Sequence, residues 1–334
     1  MALFGFLKGK GKPEQPADAR TLFFATDFHG SEICFRKFVN AAGFYGADLL
    51  VMGGDLSGKL VIPLVRMEGG RFEATRHGET RIVEADEVDA FEREIRNQGF
   101  YPWRLDREEM AHYRGDADAV EQLFEQAIVD TVLRWIDLAE AKFRGSDVQI
   151  VFAPGNDDPT VVDETIVERN SEHFRLVEGS VIEVAPGHEM LSTGYTNVTP
   201  WNTPREYPEP VIRERIESIA QDLKNPETAI FNLHVPPYGS QLDTAPLVNE
   251  DLSVQTSMGQ QLTGPAGSTA VREALEKWQP LLSLHGHIHE SGGTAHIGRT
   301  LAINPGSEYG EGVLRGALVT VGDGRLIRHQ LTTG

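Results

Sequence analysis

The stretch Leu284-His285-Gly286-His287-Ile288-His289 decides how this chain is read. It follows Pro280-Leu281-Leu282-Ser283-Leu284, a short apolar run that predicts a buried strand ending where polarity begins. Neutral imidazole binds borderline metals, so histidines crowded at a strand end are ligand candidates. If the chain stays extended, His287 and His289 point the same way, because side chains alternate faces with period two. His285 then shares their side, unless the turn begun at Gly286 redirects it. Taken alone, one His-x-His is equally well explained by two hydrogen-bonded loop histidines. The other strand ends weigh against that reading.

Thr21-Leu22-Phe23-Phe24-Ala25-Thr26 runs into Asp27-Phe28-His29-Gly30, and Asp48-Leu49-Leu50-Val51-Met52 ends in Gly53-Gly54-Asp55. Continuous apolar runs, unlike alternating ones, predict strands covered on both faces. Between them, Ser31 to Ala42 carries Ile33, Phe38 and Val39 around Arg36 and Lys37, a helical pattern. Strand, helix, strand predicts a right-handed parallel unit. Val148 to Ala153 predicts another buried strand, ending in Pro154-Gly155-Asn156-Asp157-Asp158-Pro159, and Thr228 to Leu233 predicts one closing on His234. Every polar cluster thus sits at the carboxyl end of a strand, where open α/β sheets bind ligands.

Between residues 60 and 113 the pattern changes. Val61–Arg66 and Arg71–Thr75 flank Glu68-Gly69-Gly70 as a hairpin, Thr80–Glu84 adds a third strand, and Asp86–Asn97 is a charged helix. This reads as an inserted β-hairpin/helix segment, a lid or a dimer element, within a domain spanning 19–334. Phe100, Tyr101 and Trp103 fit packing inside it better than stacking on a substrate base. Asp118 to Phe143 predicts a long amphipathic helix. Phe174–Val177, Val181–Ala185 and Glu189–Thr193 read as antiparallel strands, and Val211–Leu223 and Val271–Trp278 as helices. Tyr195–Pro210 and Tyr238–Gly267 read as loops, and the strands from Thr294 to Ile303 and Gly316 to Leu331 as hairpins.

The formal net charge of -19, from 50 acidic and 31 basic residues, opposes binding of long nucleic acid, which needs Lys and Arg to displace counterions. No apolar run approaches the ~20 residues needed to cross a bilayer. Residues 1–18, with Lys8, Lys10 and Lys12 between glycines, read as a flexible tail. The single cysteine, Cys34, excludes a disulfide framework within the chain, so the cytoplasm is the simplest home.

Together Asp27, His29, Asp55, Asn156, His234, His287 and His289 offer carboxylates, an amide oxygen and imidazoles. That set suits two borderline divalent cations, Mn, Fe, Zn or Co, better than Ca or Mg, which prefer all-oxygen shells. Asp27-Phe28-His29, Gly54-Asp55, Gly155-Asn156-Asp157-Asp158, His234 and Gly286-His287-Ile288-His289 resemble, in this order, the motifs of the calcineurin-like metallophosphoesterase superfamily. The resemblance covers residues 21 to 331 and implies a four-layer α/β/β/α sandwich. It implies that Asp27, His29, Asp55 and His289 hold one metal and that Asp55, Asn156, His234 and His287 hold the second, with Asp55 bridging. Asn304-Pro305-Gly306-Ser307 is similar to a turn of phosphodiesterase-like branches, and the run Asp27 through Lys59 to a branch related to a cyclic-nucleotide phosphodiesterase.

The resemblance further implies a dinuclear phosphoesterase, with manganese favoured, in which a metal-bridging hydroxide attacks a small phosphodiester or nucleotide. Asp55, Asn156, Asp157 and Asp158 are the catalytic candidates beside the metal set. The chain departs from the superfamily at Asp157, where a histidine would help the leaving group. Asp157 reads as an acceptor orienting a histidine ligand or as an acid of raised pKa, with the first favoured. Asp158 reads as orienting Asn156 or capping the helix after Pro159. Lys59 and Arg36 are weaker candidates for meeting phosphate, Glu290 for accepting from a ligand histidine, and His285 reads as a packed neighbour or as one that supports a ligand from behind. A nuclease, or an inactive interaction scaffold on the same fold, is the alternative; a homo-oligomer formed through the insertion is the alternative partner.

Overall fold

The computed structural model describes residues 16–76, 78–249 and 251–334, so the tail expected over 1–18 lies outside the described residues apart from its last three. The first half runs β1 (Arg20–Ala25), α1 (Glu32–Tyr45), β2 (Leu49–Met52), β3 (Val61–Arg66), β4 (Phe72–Arg76), β5 (Glu79–Val83), α2 (Val88–Asn97), β6 (Tyr101–Leu105), α3 (Arg107–Gly115), α4 (Ala117–Phe143), β7 (Gln149–Phe152), α5 (Thr160–Arg169) and β8 (Phe174–Leu176). The second runs β9 (Ser180–Ala185), β10 (His188–Thr193), α6 (Glu209–Ala220), β11 (Ile230–Leu233), α7 (Thr269–Trp278), β12 (Leu282–Leu284), β13 (Gly293–Ile297), β14 (Thr300–Asn304), β15 (Arg315–Gly322) and β16 (Arg325–Thr333).

Period-two alternation within the buried runs sorts side chains to opposite layers. From β1, Leu22 and Phe24 enter one apolar cluster with Val51, Val151, Ile230, Leu282 and Ile303, which fills the space between two sheets. Phe23 and Ala25 face the other way, onto Phe35, Phe38, Trp135 and Ile166 of the helices α1, α4 and α5. From β11, Ile230 joins the shared cluster, whereas Phe231 and Leu233 pack outward on Ile216 and Leu275 of α6 and α7. Helices therefore cover the outer face of each sheet, giving α/β/β/α. Each such fully buried aromatic or aliphatic side chain stabilises the fold by roughly 1.5–3 kcal/mol.

One sheet has the order β16-β15-β1-β2-β7-β8 and the other β13-β14-β12-β11-β10-β9, six strands each. β1 and β2 pair in parallel, Leu22 opposite Leu49, as the strand-helix-strand spacing predicts. Phe174–Leu176 departs from expectation: it pairs in parallel with β7 at the first sheet's edge, and only β9 and β10 form the antiparallel pair.

The segment after β2 builds its own sheet, β5-β4-β3-β6, on α2. Ile62, Leu64, Phe72, Val83, Phe91 and Ile95 form its separate core. β6 was not apparent from the sequence, since its Pro102 disfavours a strand, yet it pairs in parallel with β3 along the sheet's edge. α3 is also additional to the expectation; Asp106 and Glu109 start it with a reciprocal capping box. Tyr101 is buried, and its hydroxyl accepts from the Gly58 amide at 2.6 Å. Trp103 packs on the main core, so these rings serve packing. The loop expected over Tyr238–Gly267 carries short antiparallel pairs, Thr244–Pro246 with Thr263–Pro265 and Thr256–Ser257 with Gln260–Gln261. Among the described residues no helix is long and apolar enough to cross a membrane.

Candidate metal centre

The carboxyl ends of β1, β2 and β7 meet those of β11 and β12 across the sandwich. The loops after β1 and β2 are zipped by backbone bonds, Asp27 N to Gly54 O and His29 N to Asp55 O, both 2.9 Å. Gly286 N donates to His234 O at 2.8 Å and ties the two second-sheet loops together. Close approach demands glycine here: a Cβ on Gly155 would overlap Asp55 Oδ1, and one on Gly286 would overlap Thr26 Oγ1 and Asp27 Oδ2. Asp27 (φ 57°), His29 (φ 43°), Asp55 (φ 52°) and His287 (φ 65°) all adopt the left-handed region. Non-glycine residues pay roughly 1–3 kcal/mol for such conformations, which cluster where side chains must converge.

His29 Nε2 lies 3.1 Å from His289 Nε2 and 3.7 Å from Asp55 Oδ2, and His289 Nε2 lies 3.2 Å from Asp27 Oδ1. His234 Nε2 lies 3.4 Å from Asp55 Oδ2 and 3.9 Å from Asp27 Oδ1. His287 Nδ1 meets Asn156 Oδ1 at 2.7 Å, and the Asn156 amide nitrogen donates to Thr203 Oγ1 and Asp157 Oδ1. All seven candidates therefore converge. The chain is not extended at His287, contrary to the simplest reading of the motif. Its left-handed turn sends His287 toward Asn156 and His289 toward His29, while its amide donates to both Asp27 carboxylate oxygens at 3.2 Å.

The donor set fits a cation. The His234 ring nitrogen Nδ1 is engaged by Gly53 O at 2.8 Å, which leaves Nε2, a buried atom without a hydrogen-bond partner, aimed at the carboxylates. Asp27, His29 and His289 form one group that could hold a metal ion, Asp27, Asp55 and His234 a second, and His29, Asp55 and Asp157 a third. Burial opposes charge throughout: it pushes Asp55 up to about 7 and His287 down to about 3. Burial also works against charge on His234, yet Asp55 and Asp27 hold it up at about 10. Paired buried carboxylates ringed by imidazoles are the environment a divalent ion neutralises.

The neighbours differ from one another. Asp157 Oδ2 sits 3.5 Å from His29 Nδ1 and 3.1 Å from Lys59 Nζ, and the Asp157 amide donates to Asp55 Oδ1 at 2.9 Å. Asp158 neither orients Asn156 nor caps α5. It is fully buried and accepts from the amides of Leu56, Ser57 and Gly155 and from Ser57 Oγ, clamping two motif loops together. His285 is packed, with Nδ1 toward Leu233 O and Val235 O and Nε2 toward Ser283 Oγ. Arg36 pairs with Glu32 on α1, away from these groups, and Glu290 is exposed with no histidine bonded to it.

Tyr309 was not apparent from the sequence, lying just beyond the Asn304–Ser307 turn. Its ring centroid is 4.6 Å from that of His29 and 5.9 Å from that of His289. Within the turn, Ser307 Oγ donates to Asp27 O at 2.8 Å and Asn304 Nδ2 to Ile288 O at 3.0 Å, so it braces both metal-side loops. A cavity of about 460 Å³ opens beside His289, lined by Ser307, Glu308, Tyr309 and Arg315.

No protein-family model matches the chain. An uncharacterized protein of Methanocaldococcus jannaschii, MJ1162, is 31% identical over 161 residues, a match spanning 47% of this chain and 64% of that protein. The crystal structure of TT1561 from Thermus thermophilus is 15% identical, with 95% of this chain and 98% of that one covered, at a TM-score of 0.51. A further crystal structure with the same coverages is 16% identical at a TM-score of 0.56. At such identities the likeness is one of fold. Two packed six-stranded sheets between helices, with the ordered motifs at their carboxyl ends, form the α/β/β/α sandwich that the motif resemblance implies.

Proposed function

We propose that the chain is a dinuclear metal-dependent phosphoesterase that hydrolyses a small phosphodiester or nucleotide. The observation that carries this reading is the convergence of Asp27, His29, Asp55, Asn156, His234, His287 and His289, with the Nε2 atoms of His29 and His289 3.1 Å apart. In the proposed assignment Asp27, His29, Asp55 and His289 hold one divalent ion, and Asp55, Asn156, His234 and His287 the other. Two such ions, manganese favoured, supply a nucleophilic water of lowered pKa and neutralise phosphate oxygens. The chain's own residues do the rest. The Gly53 carbonyl fixes the tautomer of His234, Thr203 turns the Asn156 carbonyl toward His287, and Asp157 backs the far side of His29.

A diester is favoured over a monoester by charge. The Asp157 carboxylate flanks the site, and a phosphomonoester carries about one more negative charge than a diester near neutral pH, so repulsion weighs more on the monoester. A nuclease would need a basic groove, which the -19 balance opposes. An interaction scaffold would have no need to keep the whole donor set in register. With Cys34 buried and no other cysteine, the proposed setting is a reducing cytoplasm.

The test is hydrolysis of bis(p-nitrophenyl) phosphate with added Mn, together with metal analysis, for the native chain and Asp55→Asn. Turnover by the native chain with ~10²-fold loss or more in the variant supports the proposal. Bound metal with no turnover of any ester by either protein would favour the scaffold.

A further inference from the structure

A departing alkoxide needs a proton or a positive neighbour, and the residue after Asn156, which flanks the metal-side groups, is an acid. The structure gives that acid a cation. Lys59 Nζ lies 3.1 Å from Asp157 Oδ2, and among the described residues it is the lysine or arginine ion-paired to this cluster. The pair is asymmetric: the Asp157 side chain is 17% exposed and that of Lys59 51%, so the carboxylate is the inner partner and the ammonium reaches open solvent.

Both ends are held. Asp157 is anchored by the Asn156 amide group at 3.0 Å, while its own amide donates to Asp55 Oδ1. The segment leading to Lys59 is pinned by Asp158, which takes the Ser57 amide and hydroxyl, and by Tyr101, whose hydroxyl takes the Gly58 amide. Gly58 also packs too tightly on Gly99 O for any Cβ, so the insertion's own backbone fixes where Lys59 begins. These contacts fix the backbone from which Lys59 reaches Asp157, whose carboxylate in turn lies 3.5 Å from His29 Nδ1.

We propose that Lys59, positioned by Asp157, stabilises the leaving oxygen of the phosphodiester. This rests on the phosphoesterase reading above and adds a residue to it. The bond from phosphorus to the leaving oxygen breaks with its electron pair going to that oxygen. The Lys59 ammonium hydrogen-bonds the growing negative charge and keeps its own proton. Water supplies the oxygen that replaces the leaving group on phosphorus, and the released alkoxide takes a proton from solvent, so one diester and one water yield one monoester and one alcohol. Holding the ammonium against Asp157 keeps it charged, and the partial neutralisation of Asp157 lowers the barrier to an anionic substrate's approach.

The experiment is a leaving-group series. A set of aryl methyl phosphodiesters, from p-nitrophenyl to unsubstituted phenyl, is hydrolysed by the native chain, Lys59→Met and Lys59→Arg with Mn, and kcat is plotted against leaving-group pKa. Metal content and thermal midpoint are measured on the same samples. In Lys59→Met, the rate is expected to fall ~10²-fold for phenyl and no more than a few-fold for p-nitrophenyl, with metal content unchanged. Lys59→Arg, which keeps the charge, is expected to keep the native slope. An equal loss for every leaving group, a slope that does not change, or a loss traced to missing metal overturns the role of Lys59 while leaving phosphoesterase activity intact. Absence of turnover by the native chain overturns both readings.

Discussion

His29 Nε2 and His289 Nε2 face each other at 3.1 Å, although 260 residues separate them in the chain. Between two imidazole nitrogens at that distance there is room for one proton or for one shared cation. Asp27 Oδ1, 3.2 Å from His289 Nε2, adds a negative charge to the same point.

Divalent metal is therefore expected to stabilise the fold as well as to activate it. At manganese 100-fold above its Kd the native state gains about 2.7 kcal/mol per site, which for a domain of this size raises Tm by on the order of 5 °C. Chelation reverses the rise. His289→Ala is expected to lose at least half of it, since one candidate site loses a ligand while the core is untouched. Differential scanning calorimetry with and without EDTA reads the effect; identical midpoints would count against any metal at this place.

Gly155→Ala tests the packing of the motif loops. A methyl there meets Asp55 Oδ1, the Asp55 amide and the His234 ring together, and none of these is the free end of a flexible side chain. Overpacking of this kind costs about 1–3 kcal/mol. The expected result is a folded protein with Tm lowered by several degrees and metal content well below native. Native metal content in the variant, measured by atomic emission, would mean that Asp55 is free to move.

The fold and site were legible to different depths. Runs such as Phe23–Ala25 and Leu49–Met52 end abruptly in polar residues, so strands and candidate ligands were apparent together. What linear reading missed depended on partners distant in sequence. Phe174–Leu176 looks like the start of an antiparallel series until β7 offers it an edge, and β6 hides behind Pro102 because an edge strand tolerates the missing amide hydrogen. The motif Gly286-His287-Ile288-His289 shows its ligands but not their directions, since those come from the positive φ of His287, which the Asp27 carboxylate secures from the opposite sheet. Asp158 reads locally as a cap; its actual partners, Leu56 and Ser57, are about a hundred residues away.

His285 makes stability depend on pH in a defined direction. Burial pushes its pKa from 6.5 down to about 4, and with Nδ1 directed at two carbonyl oxygens the neutral ring is the folded form. As pH falls, the unfolded chain takes up this proton before the folded one does. Stability present above pH 6.5 is thus lost progressively toward pH 4, by about 2 kcal/mol between pH 7.5 and 5. His285→Asn lowers stability at every pH by leaving a gap, yet is expected to show a flatter pH dependence by that amount. Urea denaturation of both metal-free proteins at the two pH values measures the difference; parallel curves would show that His285 does not titrate in this range.

Asp157→Asn separates the two charges carried by the proposed substrates. The native carboxylate lies 3.5 Å from His29 Nδ1, and the backbone amide of the same residue lies 2.9 Å from Asp55 Oδ1, so in the proposed assignment Asp157 flanks residues that would hold the ions. At ~5 Å and an effective dielectric of about 20, each unit of phosphate charge is repelled by roughly 3 kcal/mol before screening, and Lys59 offsets part of it. Asn preserves the shape and removes the charge. A monoester, with about one more negative charge than a diester, is expected to gain more: kcat/KM for p-nitrophenyl phosphate relative to bis(p-nitrophenyl) phosphate should rise ~10-fold or more. A ratio that stays constant, measured with Mn at pH 7.5, would place Asp157 outside the field felt by the substrate and remove the electrostatic basis for preferring diesters.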